Sequence, residues 1–313
     1  MQGLYAIVNV PEPHGHGVAE LTRAVLAGKG RGGPGASVVQ LRAKHASTAE
    51  RIAMLEAMAP ICAGAGAQLY VNDDLDAALA SAANGLHVGQ GDPGADELLA
   101  LRRRAAEAGK PTLRLGLSTH DSAQLVAGCR QRPDYVALGP IAPTVSKANP
   151  DPVVGFPGLL EGCRLATRPL VAIGGLDRET GAEAISLGAT AVAMIGALQH
   201  ADLREIEARA ASLAEAFDRA AAPLPFDRVC SEVPILAPDQ LLEIAKWSDD
   251  LSVHIGLGLP ARFRPRFEGG AAHYRPCDLL DLLYVLDKRA DETWAEWTER
   301  GGDVPTGLVQ LRR

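Results

Sequence analysis

The sequence predicts an α/β protein: a (β/α)8 TIM barrel followed by a small C-terminal α/β appendage. Three observations predict it. Eight short apolar runs recur through the first two-thirds of the chain. Ala/Leu-rich, helix-type stretches separate them. Several runs are nearly continuous in apolar residues, as in strands covered on both faces. An open doubly wound sheet shows the same alternation of strands and helices. Eight units in about 215 residues suit the small end of the barrel range. No G-x-G-x-x-G opens a helix after the first strand, which weakens the dinucleotide-binding alternative.

In chain order the expected strands are residues 4–8, 38–41, 68–71, 86–89, 113–117, 135–139, 170–174 and 191–195. The helical stretches between them include 48–63, 74–82, 95–108, 122–131, 158–166 and 179–187. Ser47 or Thr48 ahead of Glu50, and Asp121 ahead of Gln124, are N-cap signals. The glycine-rich run from Gly28 to Gly35 is expected to be a flexible surface loop, since it precedes a strand and lacks the G-K-[ST] ending of a phosphate loop. A last helix covers residues 203–220, and Pro223-Leu224-Pro225 then marks a linker. The expected domains are therefore 1–220, the barrel, and 221–313, an extension of unknown function. The extension offers a helical stretch at 238–247, a strand-like run at 251–257 and an amphipathic stretch at 278–299.

Of the 313 residues, 47% are hydrophobic and 22% charged, enough apolar surface to exclude disorder as the main state. A net charge of −7 argues against a general nucleic-acid binder. Five scattered cysteines (Cys62, Cys129, Cys163, Cys230 and Cys277) form no C-x-x-C pair and read as reduced thiols. Neither a signal peptide nor a membrane span is visible. The expectation is a cytoplasmic protein with no membrane partner; homo-oligomerisation stays open.

Chemistry in such a barrel sits at the C-terminal strand ends. There the sequence offers Gln40, Arg42 and Lys44; Asn72, Asp73 and Asp74; Gly89 to Asp92; Ser118, Thr119 and His120; Gly139 to Lys147; Gly174 and Gly175; and Ile195 and Gly196. Arg42, Lys44 and Lys147 are converging cations that call for an anion of high charge. Asp73 and Asp92 are hard oxygen ligands, which beside a diphosphate suit Mg2+. The glycines after strands seven and eight suit a phosphate monoester held by backbone N–H groups. The bare chemistry is thus a transferase reaction in which a metal-bound diphosphate departs beside a second, monophosphorylated substrate.

Taken together, these motifs resemble the thiamine-phosphate synthase family over about residues 3–217. They are Q-x-R-x-K (Gln40, Arg42, Lys44), N-D (Asn72, Asp73), H-x-G-Q-x-D (His87 to Asp92), S-T-H (Ser118 to His120), G-P-x-x-P-T-x-[ST]-K (Gly139 to Lys147) and A-I-G-G (Ala172 to Gly175). The resemblance implies an enzyme, a thiamine-phosphate diphosphorylase that joins an aminopyrimidine, carried as its diphosphate, to a thiazole monophosphate. It implies that Gln40, Arg42, Lys44, Asn72, Ser118 and Lys147 bind the pyrimidine diphosphate, with Arg42, Lys44, Ser118 and Lys147 the catalytic members. By the same resemblance Asp73 and Asp92 hold Mg2+, and Thr144, Val145, Ser146, Gly175, Ile195 and Gly196 bind the thiazole phosphate. A dissociative reaction, with diphosphate leaving first, needs no general base. The chain departs from the family pattern at Ser146 (usually Thr), at Gly196 (usually Ser) and at Asn9-Val10-Pro11, where an Asp-bearing turn is usual. Its stretch between Asp92 and Ser118 is also longer than usual.

Plainer roles compete. Asp73 could be a helix N-cap. Asp74 is expected at the surface or as a cap, His120 as a hydrogen-bonded support, His87 as a packed strand residue, and His14-Gly15-His16 as a mobile loop. Arg262, Arg264 and Arg266 alternate beside Phe263 and Phe267 as a solvated strand face would, and Trp294 and Trp297 share a helix face. Two other functions come into question: a thiazole tautomerase on the same barrel, disfavoured because an isomerase has no diphosphate for Gln40, Arg42, Lys44, Asp73, Asp92 and Lys147 to hold, and a non-catalytic regulator that binds thiamine precursors, which the C-terminal extension and Gly196 keep open.

Overall fold

A computed structural model describes residues 1–30, 32–89, 97–144 and 151–222, with the backbone of strands at 224–225, 266–268 and 271–274. Asp92, Val145, Ser146, Lys147, Cys230, Cys277, Arg262, Arg264, Trp294, Trp297 and the stretches 238–247, 251–257 and 278–299 lie outside the described residues.

The chain alternates β1 (Gly3–Val10), α1 (Val18–Gly30), β2 (Val38–Ala43), α2 (Thr48–Gly64), β3 (Gln68–Asn72), α3 (Leu75–Ala80), β4 (Gly85–Val88) and α4 (Leu98–Glu107). It continues through β5 (Arg114–Thr119), α5 (Ser122–Arg130), β6 (Tyr135–Leu138), α6 (Gly155–Leu165), β7 (Leu170–Ile173), α7 (Arg178–Ser186), β8 (Ala191–Met194) and α8 (Leu203–Ala221). The eight parallel strands close in sequence order, β1 pairing with both β2 and β8. This is the (β/α)8 barrel that the repeated pattern predicts. The chain divides into two compact units, Met1–Ala221 and Ala222–Arg313.

Strand parity builds two apolar layers, because successive side chains point to opposite faces. One face of the strands joins the helices in a large outer core. The other fills the barrel with Tyr5, Ile7, Val38, Tyr70, Tyr135, Ala137, Val171, Ala191 and Ala193. Room for the tyrosines comes from glycine. Tyr70 is the register partner of Gly85, and Tyr135 of Gly116. A Cβ on Gly85 or Gly116 would lie 2.2 or 2.1 Å from the facing ring. Neither tyrosine could keep its place beside any larger residue.

Local signals start the helices where expected. Ser47 and Glu50 form a reciprocal capping box on α2, and Asp121 accepts from the Gln124 N–H at α5. Helix α8 buries Ile206, Ala210, Leu213 and Phe217, which recur at helical spacing. With those residues it packs on α1, α7 and β1. Phe217 is fully buried, a contribution of about 1.5–3 kcal/mol. Gly181 on α7 leaves the space for its ring.

Two expectations need correction. The first part of the glycine run is helix: α1 extends through Gly30, and the Gly33 N–H donates back to the Gly28 carbonyl. A side chain at Gly28 would meet the Pro34 carbonyl at 2.4 Å, so the missing Cβ lets the chain fold directly onto the helix end. Pro223-Leu224-Pro225 is likewise more than a linker. Leu224–Pro225 is β9, at the edge of an antiparallel sheet with β10 (Arg266–Glu268) and β11 (Ala271–Tyr274), in the order β10-β11-β9. An edge strand tolerates proline because an outward-facing position needs no N–H donor.

Candidate active site

A cavity of about 360 Å3 opens at the carboxyl ends of the barrel strands. Its floor includes Tyr5, Ile7, Tyr135, Ala137, Val171 and Ala193 from the inner face. Of the fourteen residues that the sequence nominates, ten line it: Gln40, Arg42, Lys44, Asn72, Asp73, Ser118, Thr144, Gly175, Ile195 and Gly196. The remaining four (Asp92, Val145, Ser146 and Lys147) lie outside the described residues.

On β2 the inward parity of Val38 carries Gln40 and Arg42 onto the same face. Gln40 is buried, and its Nε2 donates to Asn72 Oδ1 at 3.0 Å. Arg42 is half-buried and donates to Asn9 Oδ1 on the neighbouring strand, where the two are register partners. Burial pulls the Arg42 guanidinium below its ordinary value, while the nearby Asp73 carboxylate works the other way. Lys44 stands exposed at the rim.

Asp73 follows Asn72 with φ at +64°, and its N–H donates to the His87 carbonyl. Left-handed backbone at a residue other than glycine is uncommon and marks a held conformation. Asp73 is not the α3 cap. That role belongs to Asp74, whose carboxylate accepts from the Ala77 N–H, from Thr48 and from Arg51 at 2.8–2.9 Å. Asp74 thus fills the structural role, and Asp73 is left facing the cavity.

His87 is packed, as the sequence suggests, but it also lines the cavity, bonding Tyr135 through Nδ1 and Ser118 through Nε2. His120 meets the Gly139 carbonyl through Nδ1 and faces Asp151 through Nε2 at 3.5 Å. His14 and His16 lie in a loop, where Glu12 accepts both backbone N–H groups and the His16 ring meets the His200 carbonyl at 3.1 Å. Arg266 falls within strand β10, in line with the strand spacing expected there.

The opposite wall is backbone. Gly174 and Gly175 have φ of +96° and +70°. A Cβ on Gly175 would lie 2.4–2.6 Å from the backbone of Ala142 and Pro143, and one on Gly139 would lie 2.0 Å from the Ile173 carbonyl. Residues 140–143 are thereby laid against the end of β7, with the Ile141 and Ala142 N–H groups donating to the Ile173 and Gly174 carbonyls. Gly196 differs, with nothing within 4 Å of its Cβ position.

Sequence reasoning missed Tyr5, Tyr135 and Asp151 as cavity residues. Parity pointed to the first two, since Tyr5 lies two residues before the inward Ile7 and Tyr135 two before the inward Ala137. Among the described residues no three of His, Cys, Asp and Glu cluster as a metal cage.

A closed parallel barrel with its cavity at the carboxyl strand ends, cations on one wall and glycine backbone on the other, defines a (β/α)8-barrel enzyme. Comparison with known proteins narrows the class. A family model described as thiamine monophosphate synthase matches residues 4–198. The chain is 36% identical over 203 residues to a thiamine-phosphate synthase of Koribacter versatilis, covering 62% of this chain and 88% of that protein. It is 33% identical over 199 residues to one of Chloroflexus aurantiacus, covering 64% and 86%. It is 35% identical over 187 residues (59% of this chain) to a probable chloroplastic thiamine biosynthetic bifunctional enzyme of Oryza sativa, of which it spans only 32%. A solved thiamine phosphate pyrophosphorylase from Pyrococcus furiosus matches with a TM-score of 0.56 at 26% identity, over 68% of this chain and 96% of that one. The chain belongs to the thiamine monophosphate synthase family, and so to the transferases.

Proposed function

We propose that residues 1–220 form a thiamine-phosphate synthase acting in thiamine biosynthesis, and that it joins an aminopyrimidine-methyl diphosphate to a thiazole-ethyl monophosphate. One observation carries the reading: Gln40, Arg42, Lys44, Asn72, Asp73 and Ser118 face Gly175, Ile195 and Gly196 across a single cavity. The C–O bond between the pyrimidine methylene and the diphosphate breaks, and its electron pair leaves on the diphosphate oxygen. The thiazole nitrogen then gives its lone pair to the methylene carbon, so no general base is required.

Arg42 and Lys44, with Lys147, offset the charge that develops on the leaving oxygen, and the low-polarity floor strengthens that interaction. Gln40, Asn72 and Ser118 orient the pyrimidine. Backbone N–H groups at Gly175, Ile195 and Gly196, with Thr144, Val145 and Ser146, take the thiazole phosphate. The donor set fits Mg2+ better than a metal held in an all-protein cage: Asp73 lies beside the cations, and Mg2+ uses one or two carboxylates together with substrate phosphates. Asp73 and Asp92 would hold it, and when bound it neutralises diphosphate charge. No nucleic-acid or membrane partner enters this scheme, and among the described residues no helix is long and apolar enough to cross a membrane.

The full chain incubated with both phosphorylated substrates and Mg2+ is expected to yield thiamine monophosphate and diphosphate in equal amounts, and chelation is expected to stop it. Binding of both precursors without product would leave a precursor-binding protein instead.

A further inference from the structure

Six side chains from six strands form one hydrogen-bonded chain beneath the cavity, and its proton bookkeeping has a single sense. Tyr5 on β1 donates its hydroxyl proton to Gln40 Oε1 on β2 at 2.6 Å. Gln40 Nε2 donates onward to Asn72 Oδ1 on β3 at 3.0 Å. A phenol has one proton, so at its 2.8 Å contact with Tyr135 on β6 the Tyr5 oxygen accepts. That commits the Tyr135 proton, and Tyr135 must accept in turn from His87 Nδ1 on β4, 2.8 Å away. In a neutral ring protonated at Nδ1 the lone pair lies on Nε2, which then accepts from Ser118 Oγ on β5 at 2.9 Å.

We propose that Tyr5 and Tyr135 are positioning residues: with His87 they form a one-way relay from Ser118 to Asn72 that fixes what each end offers the cavity. Ser118, having given its proton to His87, meets any further group only as an acceptor. Asn72, with its carbonyl engaged by Gln40, meets one with its amide N–H groups. A substrate edge reaching both must donate on the β5 side and accept on the β3 side, as the edge of an amino-substituted azine ring does. This last step rests on the reading given under Proposed function; the relay itself does not.

The surroundings suit a fixed relay. Tyr5 and Tyr135 are 1% exposed, and burial pushes both phenols well above their ordinary value, so each keeps its proton. The rings lie edge-on at 5.9 Å, and the His87 ring stacks on Tyr135 at 5.6 Å. Tyr70 packs against both tyrosines but its hydroxyl joins neither, so packing alone does not demand the hydroxyl chain. In a low-dielectric interior each bond polarises the next, and reversing one reverses all.

The test is 15N NMR of the full chain without substrates, with the His87 signals assigned by the His87→Gln variant. The expected tautomer carries hydrogen on Nδ1. Hydrogen on Nε2 would mean the opposite sense and overturn the proposal. Tyr135→Phe keeps the ring that fills the space beside Gly116 and removes the hydroxyl. Its His87 signals are expected to shift, with kcat/KM for the pyrimidine diphosphate down about tenfold or more, while the KM for the thiazole phosphate holds. Tyr5→Phe cuts the relay on the other side of Tyr135. With the Tyr5 acceptor gone, the Tyr135 hydroxyl is free to donate to His87 Nδ1, so the tautomer is expected to shift toward Nε2–H and the KM for the pyrimidine diphosphate to rise. A lower melting temperature with unchanged His87 signals and unchanged kinetics in both variants would reduce the tyrosines to packing and sink the proposal. If even the unmodified chain makes no product, the functional reading fails, and the His87 spectrum still decides the relay.

Discussion

The two walls of the cavity are made in different ways. From β2 to β5 the wall is side chain: Gln40, Arg42, Lys44, Asn72, Asp73 and Ser118, several held by bonds to one another or to neighbouring strands. From β6 to β8 main chain is brought close by glycines that tolerate no Cβ at Gly139, Gly174 and Gly175, with Thr144 and Asp151 as polar side chains beside it. A side-chain wall offers chosen charges and hydrogen-bond senses, and one atom's loss changes the chemistry. Where the wall is backbone it offers N–H and C=O groups, so its selectivity there lies in how closely a ligand approaches. Substitutions on the first wall should therefore change rates in a folded protein, and those at the crowded glycines of the second should change the fold.

The largest expected effect is on the side-chain wall. Arg42→Ala removes a cation from the leaving-group side and is expected to lower kcat about 10²–10³-fold. The melting temperature should stay within about 3 °C of the unmodified chain, since Arg42 is only half-buried and contributes little to the core. Steady-state kinetics beside a thermal melt checks both halves. A large drop in melting temperature with rates intact would erase the contrast between the walls.

Gly175→Ala is the counterpart on the backbone wall. Its φ of +70° and the approach of Ala142 and Pro143 within 2.6 Å leave no place for a methyl group. A loss of about 2–4 kcal/mol of stability is expected from backbone strain plus overlap. Urea unfolding measures it, and a variant as stable as the unmodified chain would show that residues 140–143 yield freely.

Asp73 and Asp74 show the same contrast within two residues. Burial pushes the Asp74 carboxyl up, but its bonds from the Ala77 N–H, Arg51 and Thr48 together outweigh that and hold it below the usual carboxylate range. Asp74→Ala is expected to cost about 1–2 kcal/mol through the lost cap and the stranded Arg51, with turnover nearly unchanged. A depressed folded-state value makes this contribution complete above the unfolded value of about 3.9 and progressively lost as pH falls through the folded value. The stability gap between the unmodified chain and the variant should therefore be constant at neutral pH and shrink in acid. A gap that grows in acid would contradict the assignment.

The barrel was legible because strands buried on both faces leave continuous apolar runs: the expected strand at 170–174 is β7 (Leu170–Ile173), and 191–195 holds β8 (Ala191–Met194). Caps were legible because the Ser47–Glu50 box and Asp121 act within three residues. The cavity wall was legible as polar residues at or just past the carboxyl end of each strand, such as Gln40 and Arg42 on β2, Asn72 on β3 and Ser118 on β5. The relay was not, because Tyr5 meets Gln40 across 35 positions and Tyr135 across 130. Parity shows that a tyrosine points inward, but not which hydroxyl it will meet. The expectation of Asp74 as a surface or cap residue is met at the start of α3, but the backbone angle that leaves Asp73 facing the cavity is not visible in two adjacent identical residues.

Gly196 gives the smallest effect and the finest test of the backbone wall. Unlike Gly139, Gly174 and Gly175, it has open space where a side chain would stand. Its backbone also avoids the left-handed region. Nothing in the fold therefore requires glycine there, and serine should fit without cost. Gly196 lines the cavity, so a hydroxyl there can add one hydrogen bond to a phosphate monoester bound beside it. Gly196→Ser is expected to lower the KM for the thiazole phosphate about 2–10-fold, the worth of one added bond of roughly 0.5–1.5 kcal/mol. Stability and the KM for the pyrimidine diphosphate should not change, because the β2–β5 wall is untouched. An unchanged thiazole KM would move the monophosphate away from β8. A change confined to the pyrimidine KM would exchange the roles of the two walls.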